Sequence, residues 1–372
     1  MATGQSLYLP SIQIEGFKSI EFLKLDSLAT MNLLTGDNNV GKSTLLEALY
    51  IYVSGGIYNV LYQIACDRMN CTKATRFDDD GGEYNKNLMA SFFKDWKLEL
   101  GQPLRMNAET KGSFKMSFVY FYEEEHKDAG GEISRRFIIR DEAGLAKAAS
   151  MDVKEAILIE LGEEENLYPL NRRFLRRRDI DLKNIQFIRT SSFSNEMNAR
   201  LWDNITLTDL EDEVVSALRI IEPDIKGIAF LEEPVRSFPM EGARRVPYIT
   251  YGNKPGRFPL SVMGDGMNRI FALVLALVNS ANGFCLVDEI ENGIYYRRQP
   301  DLWKVIAHLV EKLNIQLFAT THSNDCVKSF SEIASDQNAK LIRLEKREKG
   351  IKAVDYSAEE VSIAADNDIE VR

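Results

Sequence analysis

The segment Gly36-Asp37-Asn38-Asn39-Val40-Gly41-Lys42-Ser43 constrains this chain more than any other. It fits the pattern GxxxxGK[ST], in which each residue type has a physical job. Glycines permit a tight backbone that turns several N–H groups toward one anion. The lysine brings a point charge to the β- and γ-phosphates, and the serine offers a hydroxyl to Mg²⁺. Such a loop needs a strand before it and a helix after it. Met31 to Leu34 is an apolar run, and Thr44 to Val53 carries Leu45, Leu46, Ala48 and Leu49 on one helical face. The expected phosphate-binding set is therefore Gly36, Asp37, Asn38, Asn39, Val40, Gly41, Lys42, Ser43 and Thr44.

The remaining periodicity asks for an α/β protein. Ile12 and Ile14 alternate with polar neighbours as in a strand. Residues 54–185 change character: an acidic Asp78-Asp79-Asp80-Gly81-Gly82 turn, a strand over Ser113–Tyr122, the acidic Glu123-Glu124-Glu125 and a strand over Arg136–Arg140. From 186 the alternation returns. Strands are expected at Ile185–Arg189, Phe284–Val287 and Ile315–Ala319, and helices at Thr208–Ile221, Met267–Val278 and Pro300–Leu313. Lys340–Lys346 and Ile351–Tyr356 read as a hairpin. Strands alternating with helices imply a largely parallel, doubly wound sheet. The chain divides into three parts: 1–53 as the first piece of the core, 54–185 as an insertion or lid, and 186–372 as the second piece of the core.

Two carboxylates end the apolar strand Phe284-Cys285-Leu286-Val287-Asp288-Glu289. In phosphate-loop chemistry the first orients Mg²⁺ and the second activates the attacking water. Asp288 joins Ser43 as a metal residue, and Glu289 becomes the candidate base. The next apolar strand ends at Thr320-Thr321-His322, where His322, one of three histidines, is aimed at the γ-phosphate. The catalytic set is thus Glu289, His322 and Lys42. Before the long apolar helix stands Met263-Gly264-Asp265-Gly266-Met267, either a helix-entry turn or an anion site at a helix N-terminus.

In this order the motifs resemble those of SMC-like ABC-type ATPases, and more narrowly the ATPase module of OLD-type proteins and their stand-alone bacterial relatives. Ile12-Gln13-Ile14-Glu15-Gly16-Phe17-Lys18-Ser19-Ile20 is similar to the group's first strand. Leu201-Trp202-Asp203-Asn204-Ile205 and Ala217-Leu218-Arg219-Ile220-Ile221-Glu222-Pro223 add to the likeness, which covers about 12–53 and 186–330. The resemblance implies an ABC-type P-loop NTPase head. Its mostly parallel sheet would be flanked by helices, with an N-terminal antiparallel strand layer and an α+β insertion. It also implies ATP and Mg²⁺ as ligands, and a homodimer with two ATPs sandwiched between subunits. Gly264, Asp265 and Gly266 would then cap the partner's nucleotide in trans, and Glu291-Asn292-Gly293 would hold the place of the loop that crosses the interface. A serine common at the first of these positions is Gly264 here, which removes a hydroxyl from the γ-phosphate.

Composition narrows the partners. A formal charge of −10 and a pI near 5.1 disfavour wholesale adhesion to DNA. Arg172, Arg173, Arg176, Arg177 and Arg178 are the local exception, readable as a contact for DNA or an acidic partner, or as a solvated helix face. Cys285 lies in an apolar run and reads as a reduced core thiol. Neither a membrane span nor a secretory signal is evident, so a cytoplasmic location is expected. Only 50 residues follow His322, too few for the Toprim nuclease domain of OLD nucleases. An ATPase working with a separately encoded nuclease in anti-phage defence is the leading expectation. A DNA-repair ATPase of the RecF kind and a slow-turnover, ATP-locked scaffold are the alternatives.

Overall fold

The computed structural model describes residues 8–363 except 70–80, 111, 129–130, 172–181, 183, 190–193, 234–243, 253, 335–336, 349, 358–359 and 362. The Arg172–Arg178 cluster and the Asp78–Asp80 turn lie outside the described residues.

Strands β1 (Ile12–Phe17) and β2 (Ile20–Leu25) form the first hairpin. Strand β3 (Met31–Thr35) then leaves that layer for a second sheet. The hairpin is extended by β4 (Leu104–Ala108), β5 (Gly112–Asp128), β6 (Gly131–Ile139), β7 (Lys154–Leu161) and β8 (Glu164–Pro169) into a seven-stranded antiparallel sheet. The join is β1 to β4, with Ile14 opposite Met106. Strands from the 54–185 stretch thus continue the N-terminal layer. Strand β5 runs past Tyr122, and there cross-strand pairing with β6 includes a 2.6 Å Arg136–Glu123 ion pair.

The second sheet is built from β3, β9 (Ile185–Ile188), β13 (Phe284–Val287), β14 (Gln316–Thr320), β15 (Ala339–Arg347) and β16 (Gly350–Tyr356). Its order is β16-β15-β3-β14-β13-β9, parallel throughout except for the β15–β16 hairpin at one edge. Strands covered on both faces must be apolar on both, which is why β3, β13 and β14 are uninterrupted buried runs. Alternate residues feed different cores: Cys285, Val287 and Leu317 face one, while Phe284, Leu286 and Phe318 face the other. A small antiparallel sheet, β10 (Ile225–Glu233), β11 (Arg244–Tyr251) and β12 (Arg257–Pro259), stands apart.

Helices α1 (Lys42–Val53), α2 (Tyr58–Met69) and α3 (Gly81–Ala90) pack with the antiparallel layer on one face. After the short α4 (Glu142–Lys147), helices α5 (Asn195–Asp203), α6 (Asp209–Arg219), α7 (Asp265–Val278), α8 (Gln299–Lys312) and α9 (Asn324–Ala334) cover the other. Thr208 caps α6, its hydroxyl accepting from the Leu210 N–H at 3.3 Å, and Glu211 accepts from Leu207 N–H. A buried ion pair fastens the antiparallel layer to α1: Lys18 Nζ meets Glu47 at 2.7 Å, and Arg68 meets its other oxygen at 2.8 Å. Cys285 and Cys326 are free thiols in the core, and burial pushes the pKa of each up to about 12. No helix among the described residues is long and apolar enough to cross a membrane.

Gly283 sets how closely β9 approaches β13. A Cβ there would lie 2.0 Å from the carbonyl oxygen of Asn184, the same oxygen that accepts the Phe284 N–H at 2.8 Å. Gly283→Ala should therefore push the strands apart and cost about 1–3 kcal/mol, read as a lower urea midpoint with an unchanged slope.

Candidate active site

Every parallel strand of the second sheet ends at the same edge, and the predicted site residues stand there side by side. The 36–43 loop leaves β3 and turns into α1. Its shape depends on left-handed backbone: Gly36 has φ 132°, Asn39 61° and Gly41 108°. At Gly36 a side chain is also excluded by space, since a Cβ would meet the Leu344 carbonyl at 2.3 Å. Gly41 takes the N-cap position of α1, so the loop's N–H groups and the helix N-terminus share one concavity. Lys42 Nζ donates to the carbonyls of Gly36 at 2.5 Å and Asp37 at 3.1 Å. Burial lowers its proton affinity below that of an ordinary lysine, and attraction to Asp288, Glu289, Glu291 and Asp37 opposes the shift. Thr44 is buried in the first turn of α1.

Ser43 Oγ donates to Asp288 Oδ1 at 3.0 Å, joining residues 245 positions apart. The same carboxylate oxygen accepts from Thr320 Oγ1 at 2.7 Å, and Thr320 Oγ1 in turn accepts the Glu289 N–H at 2.8 Å. The Thr320 carbonyl takes the Ile290 N–H, and the Ile188 carbonyl takes that of Asp288. These bonds hold Glu289 at φ 50°, a left-handed backbone that non-glycine residues rarely adopt. Thr320 is a site residue that the sequence does not single out. The signal is present in Thr320-Thr321-His322, but its meaning depends on β14 lying beside β13.

His322 lies just beyond β14 with its ring half exposed. Its Nδ1 lies 3.2 Å from Glu291 Oε1 and 3.9 Å from Glu289 Oε1. Arg269, on α7, donates to the Arg189 carbonyl at 3.4 Å; burial lowers its proton affinity below that of an ordinary arginine, and attraction to Glu289, Asp288 and Glu291 opposes the shift. It too is not legible in sequence. Gly264 is the N-cap of α7 and Gly266 stands in its first turn, close to the loop after β13: a Cβ on Gly266 would lie 3.3 Å from the Gly293 carbonyl. Among the described residues the 264–266 segment makes no hydrogen bond to the 36–44 loop.

The site presents one carboxylate and one hydroxyl, both hard oxygens, beside a phosphate-shaped loop. That set fits Mg²⁺, which commonly takes one or two carboxylates and completes its shell with substrate phosphates and water. Among the described residues no group of three or more His, Cys, Asp or Glu is placed to hold a metal by itself. Thr320→Val keeps the shape of the side chain but strips Asp288 of a donor and Glu289 N–H of its acceptor. It should destabilise the fold by about 1–3 kcal/mol, measured by urea denaturation.

The family described as "AAA domain, putative AbiEii toxin, Type IV TA system" matches residues 116–325, over half the chain. A family of unknown function matches 7–78, the stretch that includes the phosphate loop. A Helicobacter pylori protein named ATP/GTP phosphatase is 19% identical over 362 residues, 89% of either chain. The DNA replication and repair protein RecF of Oenococcus oeni is 25% identical over 228 residues, 60% of this chain and 57% of that protein. Among solved structures, an SMC head bound to the C-winged helix domain of ScpA aligns with TM-score 0.49 and 14% identity, covering 95% of this chain and 99% of that one. The chain belongs to the AAA-domain family so described and is an ATPase of that family.

Proposed function

We propose that this protein is an ATP-driven switch: two copies close on two ATP molecules, hydrolyse them and separate, and that cycle controls a separately encoded effector. The observation that carries the reading is the bonded chain Ser43–Asp288–Thr320–Glu289 at the mouth of the phosphate loop. In the proposed site the N–H groups of residues 36–44 cradle the phosphates, and Lys42 leaves its carbonyl partners to meet the β- and γ-phosphates. Ser43 and Asp288 would hold Mg²⁺, which when bound neutralises charge on the phosphate oxygens. Glu289 polarises the attacking water, and its left-handed backbone keeps the carboxylate at the open edge. His322 reaches the γ-phosphate. Gly264, Asp265 and Gly266, at the N-terminus of α7, cap the nucleotide of the opposite copy.

The effector half of the proposal rests on the resemblance to OLD-type proteins, in which the ATPase works with a Toprim nuclease. We assign the effector as a nuclease in anti-phage defence on that ground. The RecF relative favours a second reading, a DNA-repair ATPase, in which the Arg172–Arg178 cluster would touch DNA. A nuclease co-purifying with the tagged chain supports the first reading. ATP hydrolysis stimulated by DNA, with no such partner, supports the second.

Glu289→Gln tests the switch. It keeps shape and hydrogen-bonding reach but removes the base, so hydrolysis should fall by about 10²–10⁴ while ATP stays bound. Light scattering should show ATP shifting this variant toward a dimer, and a further Gly266→Asp change should abolish the shift. Lys42→Ala should lose ATP binding by calorimetry. A Glu289→Gln protein whose mass ignores ATP would remove the sandwich from the account.

A further inference from the structure

Glu291 is a buried carboxylate to which the proposed ATPase cycle gives no task. Its side chain is 7% exposed, whereas that of Glu289, two residues earlier, is 37% exposed. One oxygen, Oε1, accepts the backbone N–H of His322 at 3.0 Å and lies 3.2 Å from His322 Nδ1. The other oxygen is buried, and no hydrogen-bond partner reaches it among the described residues. A carboxylate taken out of water needs donors, and what it finds here belongs to His322: the main-chain N–H as hydrogen-bond donor and the ring nitrogen as an ion-pair neighbour.

We propose that Glu291 is the positioning residue of His322: it fixes where the imidazole sits, which way it faces and which ring nitrogen carries the proton. This rests on the reading of the site as a nucleotide site. One main-chain hydrogen bond at 3.0 Å and the ring nitrogen at 3.2 Å, both on the same carboxylate oxygen, limit where the imidazole can sit. With Nδ1–H given to Glu291, Nε2 is turned to the exposed side, because the tautomer of a histidine is set by the bond its other nitrogen makes. When the ring is protonated, Nε2–H is a donor backed by a carboxylate, suited to a phosphate oxygen. Glu289 remains free for the water, since its oxygen stands 3.9 Å from the same Nδ1, beyond hydrogen-bond distance. The two glutamates thus divide the work, the exposed one facing substrate and the buried one holding the histidine.

The first readout needs no activity. In ¹⁵N-labelled protein the chain's three histidines give few imidazole signals, and His322→Gln identifies that of His322. At a pH where this ring is neutral, its proton should sit on Nδ1 in the wild type. It should stay there in Glu291→Gln, whose amide oxygen still accepts, and move to Nε2 in Glu291→Ala. Steady-state hydrolysis supplies the second readout. Glu291→Ala should lower kcat by on the order of 10²-fold with KM for ATP unchanged, and Glu291→Gln should recover part of the loss. The double variant Glu291→Ala/His322→Gln should be no slower than His322→Gln alone. A wild-type His322 protonated on Nε2 would overturn the proposal even if the alanine variant failed to fold. So would fully additive losses in the double variant. Failure of the underlying reading is separate: it would appear as normal ATP binding by Lys42→Ala, and the tautomer measurement would still decide the Glu291–His322 pair.

Discussion

Everything at the site depends on the parallel hydrogen-bond ladder of β3, β14, β13 and β9. Its register sets Thr320 beside Leu34, Val287 beside Ala319 and Val287 beside Ile188. Neighbouring strands lie about 4.8 Å apart, so the chain segments leaving their carboxyl ends emerge side by side. Those segments carry the phosphate loop, His322, the Asp288–Glu289 pair and Arg189. Distances of 3.0 Å across 245 residues of sequence need no special device once that register is fixed. Two hydrophobic cores, one on each face of the sheet, keep it from shearing.

The same convergence creates an electrostatic problem. Asp288, Glu289 and Glu291 crowd one edge of a largely buried sheet. Lys42 from α1 and Arg269 from α7 face them from two elements; burial lowers the proton affinity of both, and attraction to these carboxylates offsets part of that cost. Thr320 and the His322 backbone add neutral donors. Lys42 is bonded to carbonyls of its own loop, so a phosphate with better acceptors can draw it away without exposing an unpaired charge. Arg269 stands one turn into the helix that begins at Gly264–Gly266, which gives that helix a direct electrostatic link to Asp288, Glu289 and Glu291.

The residues legible in sequence are those whose meaning is local. A phosphate loop must sit between a strand and a helix, and an apolar strand ending in two carboxylates reads the same in any register. Buried β3, β13 and β14 are equally plain as short, mostly apolar runs. Thr320, Glu291 and Arg269 are not, because each acts on a residue brought near by tertiary pairing alone. The joining of β4 to β1 is hidden for the same reason: antiparallel pairing between segments about ninety residues apart leaves no local pattern. Most helix and strand ends differ from expectation by a residue or two, whereas β5 ends six residues later and β6 begins five residues earlier than expected; one of the small shifts matters, since it puts Thr320 inside β14.

The central claim is that Ser43 and Asp288 meet at the phosphate loop to hold a nucleotide-bound divalent ion. Electron–nuclear double resonance with Mn²⁺ in place of Mg²⁺ tests it directly. With protein, Mn²⁺ and ATP together, the spectrum should show ³¹P couplings in an immobilised environment, and Asp288→Asn or Ser43→Ala should return it toward that of free Mn²⁺–ATP. A spectrum identical to that of Mn²⁺–ATP in buffer, or one unchanged by both substitutions, would contradict the account.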